Sequence, residues 1–425
     1  MKRSATLKRL AHPVNGTTST RTNKRQALTG PASSSATTTT STTRKTTDME
    51  PDKVELEERH PLASVEEFRG THMRTFPCMW DKLRVQVHRQ IQVGTECSGL
   101  ESVMVALESL GLQDGCRLAF CCEEDPTARL FLRRVRNPSL FFEDITTRPV
   151  ADMPACDLYV VGFPCQPWSV AGLNEGNQDR QGRGQIFEHL LEYIRTKSPR
   201  TFLLENVKGL THKTHAPVFR NILHALRCDG RYALSWQVLN TANYGIPQNR
   251  ERVYIIGILA SMVSDDYAFP WPSPVPPKPI VRFLDADTGA ARTQPGAGTL
   301  AERQKAQLLR KLTDDGANWR QEPYLLDIFA ATARYMHNVS PCITRQRGGS
   351  MGHWVTCRQG LMTVKELLRL QGLPPGFAKL AKQLKISGRQ MGMMVGNAMS
   401  VNVLVYLLHE LMLVLDTAPS DGARL

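Results

Sequence analysis

Asp157-Leu158-Tyr159-Val160-Val161-Gly162-Phe163-Pro164-Cys165-Gln166-Pro167-Trp168-Ser169 decides how the rest of the chain is read. Its first five residues form an apolar, β-branched run with the composition of a strand buried on both faces. Gly162 stops the run. Two prolines then flank a cysteine, and because proline fixes φ and removes a donor, they make a stiff loop that presents a thiol at a strand end. A thiol there is a candidate nucleophile once its pKa is lowered. The alternative is a small buried side chain, the commonest fate of a free cysteine.

Outward from this run the pattern alternates. Ile91 to Val93 reads as a strand, followed by Gly94 to Glu101 and a helix over 102–110. A second strand covers 117–122 and a helix 126–136. A helix is expected over 186–194, a strand over 200–204, a helix over 218–226, and strands over 234–239 and 252–258. Strands alternating with helices define an α/β layered sheet, mostly parallel, with ligands taken up beyond the carboxyl ends of the strands. Glu205-Asn206-Val207 sits at such an end, where desolvation favours the protonated carboxyl of an acid catalyst. Alternation places Arg250 and Arg252 on one face, fit to hold a carbonyl or phosphate, or else to join a surface ion-pair network. Ser98-Gly99 after the first strand and Glu123 after the second suggest a nucleotide-like cofactor. No Gly-x-Gly-x-x-Gly accompanies them, which speaks against a dinucleotide and its oxidoreductases.

The chain has 425 residues, 53 Lys+Arg against 40 Asp+Glu and 41% apolar residues, enough for a sizeable core. Residues 1–47 hold nine of the bases and no acid, leaving a net charge of +4 for the remainder. This Ser/Thr-rich, low-complexity tail is expected to be disordered and suited to polyanions. Its Lys2-Arg3, Lys8-Arg9 and Lys24-Arg25 doublets suggest a nuclear import signal. An organelle transit peptide and a plain solvated tail are the alternatives. No secretory signal or membrane-spanning run is expected, and the ten cysteines show no Cys-x-x-Cys spacing for zinc or redox work. The plain expectation is buried free thiols and no metal.

Together, and in this order, Pro164-Cys165-Gln166, Glu205-Asn206-Val207, Gln248-x-Arg250-x-Arg252, Arg347-Gly348-Gly349 and Gly396-Asn397-Ala398 resemble the cytosine-C5 DNA methyltransferase family, over about residues 92–408. The resemblance implies the S-adenosylmethionine-dependent methyltransferase fold, Rossmann-like with a mostly parallel sheet, carrying a small inserted target-recognition lobe. It implies that Cys165 attacks C6 of cytosine, that Glu205 contacts N3 and the exocyclic amine, and that Arg250 and Arg252 support the base carbonyl and the thiolate loop. Gln166, Ser169, Asn206, Gln248, Arg347, Gly348 and Gly349 are the implied substrate contacts. For S-adenosylmethionine the resemblance points to Ser98, Gly99, Leu100, Glu123, Asp144, Ile145, Pro164, Ile186, Asn397 and Met399. The loop Gln166 to Gly184 would close over a flipped base in double-stranded DNA. One departure stands out: Cys97 replaces the family's phenylalanine, and Glu101 and Ser102 stand where glycines are common, which places a carboxylate near the cofactor.

The expected organisation is a tail (1–47), an entry segment (48–88), a catalytic domain in two parts (89–258 and 345–415), a target-recognition lobe with long loops (259–344) and a short C-terminal tail (416–425). With no room for reader modules, the chain looks like a stand-alone, protist-type or bacterial form. Two alternatives share the fold: an RNA (tRNA) cytosine methyltransferase, whose usual Cys-Phe-Thr signature is missing here, and a catalytically silent nucleic-acid-binding protein.

Overall fold

The computed structural model describes residues 83, 85–136, 138, 140–163, 186–286 and 292–417. β1 (Ile91–Glu96) leads through a tight turn into α1 (Ser102–Ser109). β2 (Cys116–Cys122) leads into α2 (Pro126–Val135). Asp125 caps α2 by accepting from the amides of Thr127 and Ala128, and Pro126 occupies the first turn, where no amide donor is needed. β3 (Phe141–Phe142), β4 (Leu158–Gly162), α3 (Ile186–Lys197), β5 (Thr201–Val207), α4 (Ala216–Leu226), β6 (Tyr232–Asn240), β7 (Gln248–Asn249) and β8 (Glu251–Leu259) follow. Then come α5 (Leu300–Asp314), β9 (Tyr324–Asp327), β10 (Arg334–His337), β11 (Ser340–Pro341), α6 (Arg345–Gly349), β12 (Trp354–Val355) and β13 (Gly360–Leu361). Four helices close the chain: α7 (Val364–Leu370), α8 (Phe377–Gln383), α9 (Gly388–Asn397) and α10 (Val401–Thr417).

Seven strands form one sheet in the order β3-β2-β1-β4-β5-β8-β6. The first five are mutually parallel, and β8 alone runs antiparallel to its neighbours β5 and β6. This is the α/β methyltransferase-type sheet expected from the sequence. Alternate residues feed opposite faces. Val93, Leu158, Val160, Leu203 and Ile256 join the core beneath α1, α2 and α7–α10, while Tyr159, Val161, Leu204, Val253 and Ile255 join the core beneath α3 and α4. Gly388–Thr417 is long and apolar enough to cross a membrane by composition alone, but 72% of its most apolar window is buried inside the protein.

A four-stranded sheet, β10-β9-β12-β13, forms the smaller lobe around its own core of Leu308, Leu312, Leu326, Trp354 and Leu361. The lobe therefore does not coincide with residues 259–344. β12 and β13 lie beyond 344, whereas Phe269, Ile280, Phe283 and Leu284 pack into the main core. Nor is it mainly loop, because α5 has fifteen residues and is capped by Thr299. α6 and α9 cross so closely that a Cβ on Gly348 would lie 1.9 Å from the carbonyl oxygen of Gly392. The two ends of the described region also meet: Asp416 accepts from the backbone amide of His88, and its other oxygen lies 2.7 Å from His88 Nδ1.

Candidate active site

The carboxyl ends of the parallel strands and the start of the reversed strand β8 come together at one edge of the main sheet. Gly162, the last residue of β4, is in register with Glu205, and Val207 is in register with Arg252. Pro164, Cys165, Gln166 and Ser169 lie outside the described residues; the chain enters that stretch from Phe163, two residues before the cysteine. The Asn206 side-chain amide donates to the Phe163 carbonyl at 3.5 Å, so the residue beside Glu205 grips the entrance to the thiol loop.

Glu205 is 7% exposed, and Arg252 Nε approaches its Oε1 at 3.1 Å. A cavity of about 450 Å³ opens beside Arg252, lined by Val207, Lys208, Arg252, Arg334, Met336 and Cys342 among others. Of those six, sequence analysis named Arg252 and, within the Glu205-Asn206-Val207 motif, Val207. Arg250 takes a different path from its neighbour two residues on. It is buried, and its guanidinium donates to the carbonyls of Ile343 (3.0 Å), Gly396 (3.2 Å) and Ala398 (2.9 Å). Burial and the nearby Arg252 charge hold its pKa below the usual arginine value. Arg250 therefore clamps main chain and does not face a base carbonyl. Gln248 also departs from expectation. It is fully enclosed: its amide donates to the Leu370 carbonyl (2.7 Å) and Gln371 Oε1 (2.9 Å), and its oxygen accepts from the Ile343 amide (3.1 Å). A side chain so enclosed is a structural knot and not a substrate contact.

On the cofactor side, Cys97, Gly99 and Glu101 all have left-handed backbone (φ 51°, 55° and 56°). Glycine adopts this freely; the other two do so at a cost of order 1–3 kcal/mol each. The Gly99 amide donates to Glu123 Oε2 at 2.7 Å, and Glu123 Oε1 accepts from the Asp125 amide at 2.9 Å. Desolvation raises the Glu123 pKa, and these two amides counter it. The carboxylate is thus fixed at the end of β2 with one free lone pair on each oxygen, a fit for a diol. Ile145, Ile186 and Met399 supply apolar surface, with Met399 over Gly162 at 3.6 Å from where a Cβ would sit. Asn397 is exposed at the end of α9. Asp144 spends one carboxylate oxygen on Thr146, accepting from its amide (2.7 Å) and hydroxyl (2.8 Å). Arg148 stabilises the same loop from below. It pairs with the enclosed Glu96, which also accepts from the Tyr159 hydroxyl, and donates to the His189 carbonyl.

Three expectations are corrected here. Leu100 is 1% exposed in the main core, so only its backbone can reach a ligand. Ser98 is buried, and its hydroxyl donates to the Cys122 carbonyl at 3.2 Å. The Glu101 carboxylate does not face the crevice: it is wholly buried, accepts from Thr95 Oγ1 at 2.9 Å, and is pushed by burial to a pKa of about 7.

Arg347, Gly348 and Gly349 are likewise turned inward. The two glycines lie against α9. Arg347 Nε lies 2.6 Å from Oδ1 of Asp327, a β9 residue that the sequence reading passed over. The enclosed His353 stands 3.8 Å from that oxygen, and its Nε2 meets the Pro341 carbonyl at 3.1 Å. Burial depresses its pKa to about 4, so it is neutral at pH 7.

A sequence model described as C-5 cytosine-specific DNA methylase matches residues 97–412. Type II methyltransferase M.NgoBI of Neisseria gonorrhoeae is 32% identical over 308 residues, covering 72% of this chain and 88% of that protein. Type II methyltransferase M.HaeII of Haemophilus aegyptius is 30% identical over 311 residues, with the same coverages. Among solved structures, Schizosaccharomyces pombe Dnmt2 methyltransferase aligns with a TM-score of 0.52 at 18% identity, covering 76% of this chain and 98% of that one. A putative DNA modification methyltransferase from an Escherichia coli prophage aligns at 0.53 and 19%, covering 77% and 99%. These two show the shared fold. The chain belongs to the C-5 cytosine-specific DNA methylase family, whose members use S-adenosylmethionine.

Proposed function

We propose that the protein methylates C5 of cytosine in double-stranded DNA through a transient bond between Cys165 Sγ and C6 of the base. The carrying observation is the Glu205–Arg252 pair, whose arginine lines the 450 Å³ cavity and whose carboxylate stands in register with Gly162, three residues before Cys165. C5 of cytosine is a weak nucleophile until addition at C6 breaks the ring's aromaticity, and the thiolate makes that addition. Glu205 donates a proton to N3 as the C6–S bond forms, and Arg252 keeps its carboxyl aimed at the base. S-adenosylmethionine supplies the electrophilic methyl group. Loss of the C5 proton to a base, expulsion of the thiolate and return of the N3 proton to Glu205 then restore the ring. Gly99, Glu123, Ile145, Ile186, Asn397 and Met399 would hold the cofactor, with Glu123 taking the ribose hydroxyls. A protein thiol cannot bond C6 of a base that stays stacked within the duplex, so the target cytosine must be flipped out. The acid-free basic tail supports a nuclear destination.

Covalent trapping tests the chemistry. With S-adenosylmethionine and 5-fluorocytosine DNA, the wild type should give a denaturation-resistant protein–DNA adduct, and Cys165→Ser should give none. An adduct that persists in Cys165→Ser removes Cys165 as the nucleophile. Failure of the wild type to pass labelled methyl to any duplex removes the function.

A further inference from the structure

β10 pairs antiparallel with β9, with Arg334 opposite Asp327 and Met336 opposite Leu325. Period-two alternation divides this ribbon into two faces. Leu326 and Tyr335 point into the lobe's own core. Leu325 joins the main core instead, and Asp327 reaches Arg347. The second face is thus turned towards the catalytic domain, and its two β10 side chains, Arg334 and Met336, line the cavity in front of Arg252.

The charges around that cavity do not balance. Lys208 pairs with Glu251 at 2.8 Å, and Arg252 pairs with Glu205 at 3.1 Å. Asp327, 2% exposed, is engaged at 2.6 Å by Arg347. Arg334 Nε stands 3.6 Å from the other Asp327 oxygen, beyond hydrogen-bond reach, with 65% of its side chain exposed. These pairs hold four cations for three carboxylates, and the surplus charge sits on the one guanidinium that is both loosely held and open to solvent. A second cation on an already neutralised carboxylate loses little by leaving it for a phosphate.

We infer that Arg334 is a phosphate clamp of the lobe, poised by Asp327 at the cavity mouth and transferred to a backbone phosphodiester when the duplex enters. The inference rests on the DNA reading above and adds a positioning residue to it. It predicts a uniform contribution across sequences, because a phosphate contact fixes register and carries no base information.

The test is fluorescence anisotropy of the full chain on a labelled duplex of mixed sequence across a salt series. Arg334→Gln should lower the magnitude of the log K against log salt slope by about 0.9, the value for one phosphate. Its affinity deficit should therefore shrink about 3.5-fold between 50 and 200 mM salt. Arg334→Lys should restore the slope. Arg231→Gln, at the opposite end of the main sheet where Arg231 bonds Ser198 Oγ, should leave it unchanged. In turnover assays, Arg334→Gln should raise the KM for DNA and leave kcat unaltered. Wild-type binding with a slope shared by Arg334→Gln overturns the clamp alone. Absence of duplex binding by the wild type overturns the clamp and the DNA reading together.

Discussion

Burial lifts the Glu101 carboxyl from 4.5 to about 7, so the folded protein keeps a proton that the unfolded chain has released. Stability therefore falls as pH rises through that window, by about 3 kcal/mol in all. Burial drives His353 the other way, from 6.5 to about 4. Here the unfolded chain takes up the proton first, and stability falls by about 3 kcal/mol as pH drops from 6.5 towards 4. The two trends oppose each other between pH 4.5 and 6.5. Urea titrations should show Glu101→Gln gaining on the wild type as pH rises from 5 to 8. His353→Gln should lose the acid sensitivity of the wild type below pH 6. Profiles parallel to the wild type would refute both assignments. Neither group could be read from the sequence in this role. Glu101 looks like a loop carboxylate, and Gln248 looks like a polar contact because what encloses it comes from afar: Leu370 and Ile343 lie about a hundred residues from it. The pairing of Glu205 with Arg252 was foreshadowed because each lies in a recognisable strand, whereas Cys165 lies outside the described residues.

At the scale of elements, the crossing of α6 and α9 carries the greatest demand on side-chain size. Gly348 meets the Gly392 carbonyl, and Gly396 would place a Cβ 2.2 Å from the Thr344 carbonyl. These obstacles are backbone, which cannot rotate away as a side chain can. Gly348→Ala should cost about 1–3 kcal/mol in urea unfolding by forcing the helices apart. It should also weaken DNA binding, because Arg347 beside it anchors Asp327 and β9. Unchanged unfolding would mean that the two backbones are not in contact. The helices and strands of the main sheet were legible from alternating apolar runs. α5 and α9 were not, because α5 is largely polar and α9 carries three glycines. Their caps did carry a signal: Thr299 three residues before Glu302, and Ser387 three before Gln390, each bonding the later residue's amide.

The whole molecule joins a basic, acid-free tail to a nearly balanced body. Deleting residues 1–47 from a tagged chain should abolish nuclear accumulation and leave methyl transfer intact; accumulation that survives the deletion would remove the import signal. Lobe boundaries were the least legible feature at this scale. A sheet that takes β9 and β10 from one side of α6, and β12 and β13 from the other, leaves no change of composition at its border. Near the two ends of the described region the chain is held by a short handshake, His88 on Asp416. From residue 85 to residue 417 the polypeptide thus comes almost full circle. Much of this architecture would survive if a short bridge sealed that gap and the ring were opened at some other surface turn.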